Sequence, residues 1–212
     1  TIGSGTGVWE LDADLSAEQL AIFSVNQHNF PGVGVDAGLS RYYPLGEDTA
    51  HVLGYVARIS KKDKEIFEDK NYGATNHIGK TGVEKARENI LHGKVGEQTV
   101  EVNAEGRVLR VLERVPPVPG KNIVLTIDSR LQTIAAQSLR DLGGLKGAIV
   151  AVEPSSGAVL ASVSYPSFNP NEFVNGISRE LYKEWSSSKA RPLFDRALQG
   201  QYPPGSTIKP MV

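Results

Sequence analysis

Ser206 and Lys209 stand three residues apart in Gly205-Ser206-Thr207-Ile208-Lys209-Pro210, an S-x-x-K pair. On a helix this spacing sets both side chains on one face, about 5 to 6 Å apart. A serine hydroxyl is a weak nucleophile until a base takes its proton, and a lysine can be that base when burial lowers its pKa. Pro210 has no N–H, so a helix here must begin at or just after Ser206, where that donor would have no partner. Pro203-Pro204-Gly205 is a rigid, non-helical entry. The serine oxygen is therefore expected at the exposed positive end of a helix, where free N–H groups stabilise an oxyanion. The chemistry this predicts is acyl transfer through a serine ester. The same spacing also fits an N-cap serine beside a solvated lysine, and S-x-x-K is short enough to recur by chance.

Other reactive groups are sparse. There is no Cys, which removes disulfides, thiolate zinc sites, iron–sulfur clusters and thiol nucleophiles together. His28, His51, His77 and His92 are scattered without ligand spacing, so packing and surface roles are expected, with no metal and no cofactor. Lys80-Thr81-Gly82 spells another short lysine motif. It precedes a helical stretch beginning near Val83, and reads as a turn with Thr81 and Glu84 as capping groups. Trp9, Trp185, Tyr42, Tyr43 and Tyr55 are expected mainly in the core or between subdomains.

Lys plus Arg number 23 against 24 Asp plus Glu, a net charge of −1, which argues against a chain built to neutralise phosphates. Hydrophobic residues at 40% and charged residues at 22% are those of an ordinary folded protein. No run approaches the roughly 18 to 20 apolar residues of a membrane span. Gly3-Ser4-Gly5-Thr6-Gly7 is neither cationic nor apolar, so the start is expected to be a linker or a cut end rather than a signal peptide.

The elements that must hold Ser206 fall into two parts. Pro116, Pro117 and Pro119, followed by Gly120, lock φ and remove donors, which neither a helix interior nor a central strand tolerates. The expected division is residues 1–118 and 119–212. In the first part, Ser16 caps a helix ending near Asn26, Phe30-Pro31-Gly32 breaks it, and Thr49 to Leu53 forms a turn or two of helix. Lys61 to Lys70 and Val83 to Leu91 read as amphipathic helices, the second closed by Gly93. Residues 97–115 read as a hairpin about Asn103-Ala104-Glu105-Gly106. In the second part, Ile123-Val124-Leu125 reads as a short strand. Asp128 or Ser129 caps a helix burying Leu131, Ile134, Ala135 and Leu139, and Gly147 to Val152 pairs with Ala158 to Ser164. Ser178 to Trp185 reads as a further helix.

Residues 192 to 211, Pro-Leu-Phe-Asp-Arg-Ala-Leu-Gln-Gly-Gln-Tyr-Pro-Pro-Gly-Ser-Thr-Ile-Lys-Pro-Met, resemble the nucleophile segment of class B penicillin-binding proteins, the cell-elongation branch above all. Phe30-Pro31-Gly32-Val33, Arg41-Tyr42-Tyr43-Pro44, His51-Val52-Leu53-Gly54-Tyr55-Val56 and Gly79-Lys80-Thr81-Gly82-Val83-Glu84 resemble the family's pedestal in order. Leu125-Thr126-Ile127-Asp128 and Tyr165-Pro166-Ser167-Phe168-Asn169-Pro170-Asn171 resemble the opening of its transpeptidase domain. The resemblance implies an α+β fold, with a strand-rich, dimerisation-type pedestal over 1–118 and the first part of a serine transpeptidase, related to the serine β-lactamases, over 119–212. It implies a bacterial D,D-transpeptidase in which Ser206 attacks the penultimate D-Ala carbonyl of a peptidoglycan stem peptide and Lys209 is the general base, a reaction β-lactams mimic. Its partners would be a membrane glycosyltransferase of the shape, elongation, division and sporulation type (RodA) and the scaffold MreC. Its place would be the periplasmic face of the bacterial inner membrane. The family's S-x-N and K-[ST]-G follow S-x-x-K, and no such motifs occur between Lys209 and Val212, so the sequence reads as the middle of a longer protein. A rival reading makes the segment chiefly an interaction module, and a third a D,D-carboxypeptidase.

Overall fold

The computed structural model describes residues 15–35, 40–60, 63, 72, 76–104, 108–143, 145–203, 205, 206 and 209. Apart from Asp63, the expected helix over Lys61 to Lys70 lies outside these residues, as does Trp9.

Local signals are followed where they are strongest. Helix α1 (Ala17–Asn26) opens on a capping box: Gln19 N donates to Ser16 Oγ at 3.1 Å, and Ser16 N donates to Gln19 Oε1 at 2.9 Å. Helix α2 (Ala50–Leu53) leads into strand β1 (Val56–Arg58), which pairs antiparallel with β2 (His77–Gly79). The helix expected from Val83 to Leu91 is instead two, α3 (Gly82–Ala86) and α4 (Glu88–Leu91). Arg87, at φ −122° and ψ 19°, interrupts them. Strands β3 (Glu97–Val102) and β4 (Val108–Val115) form the expected hairpin, with two register shifts along the ladder.

Thr81 precedes α3, but its side chain makes no capping bond. Glu84 does not cap either. It is buried at 6% exposure and carries a buried charge relay: Arg41 Nε lies 2.7 Å from Oε1, and the Tyr43 hydroxyl donates to Oε1 at 3.2 Å. That hydroxyl in turn accepts from Val56 N at 2.9 Å. A buried carboxylate is tolerated only when paired and hydrogen-bonded, and this pairing outweighs a local cap. Burial and then the Glu84 charge push the Tyr43 phenol up, and the bond to Glu84 pushes the Arg41 guanidinium up.

In the second part, helix α5 (Ser129–Asp141) starts where Asp128 Oδ1 accepts from Arg130 N and Leu131 N. Strands β5 (Gly147–Val152) and β6 (Val159–Tyr165) pair antiparallel, and Ala135, Ala136 and Leu139 pack on Val163 with Ile149 and Tyr165 beside them. The buried face of α5 is rotated from the expected one: Gln132 and Ala136 are buried, while Ile134 is 62% exposed. Ile123-Val124-Leu125 is not a strand. The bonds to β6 come from the residues that follow it, the Thr126 hydroxyl to Val159 O (2.6 Å) and Asp128 N to Leu160 O (2.9 Å), and Val124 is 95% exposed. Helices α6 (Asn171–Val174), α7 (Arg179–Ser187, capped by Ser178) and α8 (Arg196–Gln199) follow.

Polar and aromatic contacts join residues before the proline run to residues after it. Gln132, fully buried, donates from Nε2 to Asp48 O (2.6 Å) and Ser162 O (2.9 Å) and accepts from Ser162 N (2.8 Å). Arg140 donates to Asp48 Oδ1 at 2.7 Å, and the Ser167 hydroxyl to Glu47 O at 2.7 Å. Ala50, Phe168 and Phe173 form a core that Tyr55, Trp185 and Leu193 flank. Tyr55 stacks on Phe173 with ring centroids 3.9 Å apart. Tyr55 thus joins the two parts, Trp185 packs on Phe168 and Phe173 within the second, and Tyr42 is 73% exposed.

Candidate active site

The segment carrying Ser206 leaves the fold through α8. Asp195 caps α8, its Oδ1 accepting from Ala197 N and Leu198 N. Arg196 is buried, and its guanidinium donates to the carbonyls of Ala190 (2.5 Å), Arg191 (3.1 Å) and Phe194 (3.3 Å). Its own N–H donates to Ser164 Oγ at 2.9 Å, and that hydroxyl donates to Phe194 O at 3.1 Å. A buried cation satisfied by carbonyls of one loop fixes the loop's shape, so the approach to Ser206 is braced from β6. Gly200 allows the sharp exit from α8, because a Cβ there would meet Arg196 O at 2.4 Å and the Tyr202 ring at 2.5 Å.

Gly205 is left-handed, at φ 55°, and Ser206 and Lys209 each lie in tight-turn rather than α-helical backbone. An ordinary helix with the hydroxyl at its start was the expectation. Pro210 lacks the N–H that would bond the Ser206 carbonyl in an α-helix, and the tighter turn needs no such bond. Ser206 and Lys209 are both exposed. The burial expected for Lys209 is therefore not supplied by the described residues.

Lys80 has a different place. Its ammonium pairs with Asp63 far from the Ser206 turn in sequence, with burial of both partners substantial. Burial opposes ionisation of Asp63, yet the bonds from Lys80 and Ser60 hold its carboxyl at about 2. Gly82 sits at φ 58°, and a Cβ there would meet Gly54 N at 2.5 Å. These are the requirements of a tight pedestal turn. His51 lies edge-on to Phe168 with centroids 5.2 Å apart; burial lowers its pKa, Asp195 opposes that, and Arg196 adds to it. His77 Nε2 lies 2.7 Å from Val174 O.

Arg196, Ser164, Gln132 and Asn171 were not singled out from residue types. Buried polar side chains at such positions carry no local pattern, because their partners are distant in sequence.

Two family models match: Penicillin-binding Protein dimerisation domain over residues 5–125, and Penicillin binding protein transpeptidase domain over residues 147–212. The chain belongs to the penicillin-binding proteins, with a dimerisation domain followed by the start of a transpeptidase domain in a mixed helix and strand fold. Among its relatives, peptidoglycan D,D-transpeptidase MrdA of Acinetobacter baumannii is 46% identical over 198 residues, covering 93% of this chain and 29% of that protein. MrdA of Escherichia coli K12 is 46% identical over 203 residues (94% and 32%), and that of Haemophilus influenzae 47% identical over 206 residues (95% and 31%). The chain thus spans about a third of the length of these relatives. The complex between PBP2 and MreC from Helicobacter pylori matches with a TM-score of 0.80 at 32% identity, over 93% of this chain and 36% of that one. Pseudomonas aeruginosa PBP2 in complex with WCK 5153 matches with a TM-score of 0.69 at 47% identity, over 84% and 35%.

Proposed function

We propose that this chain is the pedestal and the first part of the catalytic domain of a peptidoglycan D,D-transpeptidase, divided near residues 118 and 119, with Ser206 as the acylated nucleophile and Lys209 as its base. The observation that carries the reading is the exposure of Ser206 and Lys209, after a braced loop, inside a segment that matches the transpeptidase family. Ser206 attacks the penultimate D-Ala carbonyl, the terminal D-Ala leaves, and an amine of a second stem peptide resolves the ester. Lys209 must be desolvated to accept the Ser206 proton, and cover over the exposed turn has to provide that.

The pedestal is proposed to dock an MreC-type scaffold, supported by the H. pylori PBP2–MreC complex, and a RodA-type glycosyltransferase, on the strength of the family resemblance. The protein would work at the periplasmic face of the inner membrane. Among the described residues no helix is long and apolar enough to cross a membrane. The test is to label the intact protein with a β-lactam and locate the adduct by peptide mass. Label on Ser206, abolished in Ser206→Ala, is expected; label on another residue overturns the assignment.

A further inference from the structure

A cleft of about 470 Å³ opens beside the segment that leads to Ser206. Lys146, Lys189, Arg191 and Arg196 all line it, with Phe194 and Tyr202 as its aromatic walls, and no acidic side chain does. In a chain with a net charge of −1, four cations without a carboxylate around one concavity are a local excess that raises the concentration of anions there. Asp195, the adjacent carboxylate in sequence, is turned to the amides of α8 instead.

Three of the four cations have partners in the fold, Lys146, Arg191 and Arg196. Lys146 Nζ donates to Lys189 O at 2.6 Å, which joins the start of β5 to the opposite wall. Arg196 is anchored by three carbonyls. Arg191 stands at φ 49°, the one left-handed residue other than glycine among those described, and its guanidinium carbon lies 4.3 Å from the Phe194 ring centroid. Backbone strain of this kind persists only where the surroundings enforce it, and it gathers at ligand clamps. Here it accompanies a planar donor fork set over an aromatic face, a geometry suited to a carboxylate. Among the described residues no carboxylate pairs with Arg191.

We infer that this cleft is a carboxylate subsite, centred on Arg191 and Lys146, that holds a free carboxylate of the peptide substrate away from its reacting D-Ala-D-Ala end. The inference rests on the transpeptidase reading, because Tyr202 connects the cleft wall to Ser206 within four residues. It adds a determinant of which stem peptide is accepted: those whose internal carboxylates are free, over those in which they are amidated.

The test uses the intact protein and two synthetic pentapeptides ending in D-Ala-D-Ala, one with its internal carboxylates free and one with them amidated. First, β-lactam acylation of the parent at Ser206 is measured; its failure would sink the transpeptidase reading itself. Given acylation, the ratio of kcat/KM for the free and amidated peptides is compared in parent, Arg191→Gln, Lys146→Gln and the surface control Lys183→Gln. A charge-assisted bond predicts that the preference for the free peptide falls about tenfold in Arg191→Gln, mostly through KM, and falls as salt is raised. Lys183→Gln is expected to keep the parental ratio. If the parent shows no preference, or if Arg191→Gln and Lys146→Gln keep it, the subsite does not exist. Normalising each variant to its own acylation rate separates this outcome from partial misfolding.

Discussion

Tyr43 and Asn171, 128 residues apart, hold each other by two reciprocal bonds: Tyr43 N donates to Asn171 Oδ1 at 2.9 Å, and Asn171 Nδ2 donates to Tyr43 O at 3.0 Å. One side-chain amide thus satisfies both backbone groups of a residue that lies outside any strand. Tyr43 is also the residue whose hydroxyl joins Glu84 to β1, so the bond ties the buried charge relay of the pedestal to the start of α6. Replacing Asn171 by Ala strands both backbone groups, at about 1 to 3 kcal/mol each when buried. A loss of about 2 to 4 kcal/mol in denaturant unfolding is expected, with Asn171→Asp, which keeps only the acceptor, losing roughly half. A variant as stable as the parent would show that the joint is held elsewhere.

Glu84→Gln should destabilise the protein by about 1 kcal/mol, since it removes a buried carboxylate from an Arg41 cation whose side chain is 43% exposed and can rehydrate. The Tyr43 phenol should also titrate lower, because one of the causes that raises it is removed while burial stays. An NMR titration of the Tyr43 ring reads this directly, and an unchanged phenol would contradict the relay.

His51 makes the joint sensitive to acid. Its pKa is lowered in the fold, so the unfolded chain binds more protons, and stability present above the ordinary value of 6.5 is lost as pH falls from there through the folded pKa. The slope of unfolding free energy between about pH 6.5 and pH 5 should flatten in His51→Gln. An identical slope in parent and variant would assign the sensitivity to other groups.

Lys80→Ala should leave β-lactam acylation of the intact protein within a factor of a few of the parent, while the Asp63 carboxyl rises from about 2 toward 3.8. A loss of about 100-fold or more, the scale of a catalytic proton-transfer group, would make this K-T-G part of the reaction and overturn its reading as a pedestal turn.

Lys209→Arg keeps the positive charge but cannot accept a proton, and should slow acylation by about 100-fold or more. Residues acting in one step are not additive, so Ser206→Ala with Lys209→Arg should be scarcely worse than Ser206→Ala alone. Near-parental rates with Arg at 209 would rule Lys209 out as the base.

The sequence by itself determined what is decided within one or two turns of chain. Ser16 with Gln19, Asp128 with the amides that follow it, Ser178 ahead of α7, and both hairpins are local arrangements, in which partner and signal lie three or four residues apart or on facing strands of one hairpin. The S-x-x-K pair is legible for the same reason. Tertiary structure alone decided which polar side chains go inside. Glu84 lies where a cap would be expected, but Arg41 and Tyr43 draw it into the core. Gln132 displaces Leu131 and Ile134 from the buried face of α5 because only an amide can satisfy Asp48 O and both backbone groups of Ser162. Ile123 to Leu125 has a strand's composition, yet the bonds to β6 come only from Thr126 and Asp128 after it, and no ladder forms. In each case the deciding free energy is that of a buried polar group finding a partner far along the chain, which no window of sequence contains.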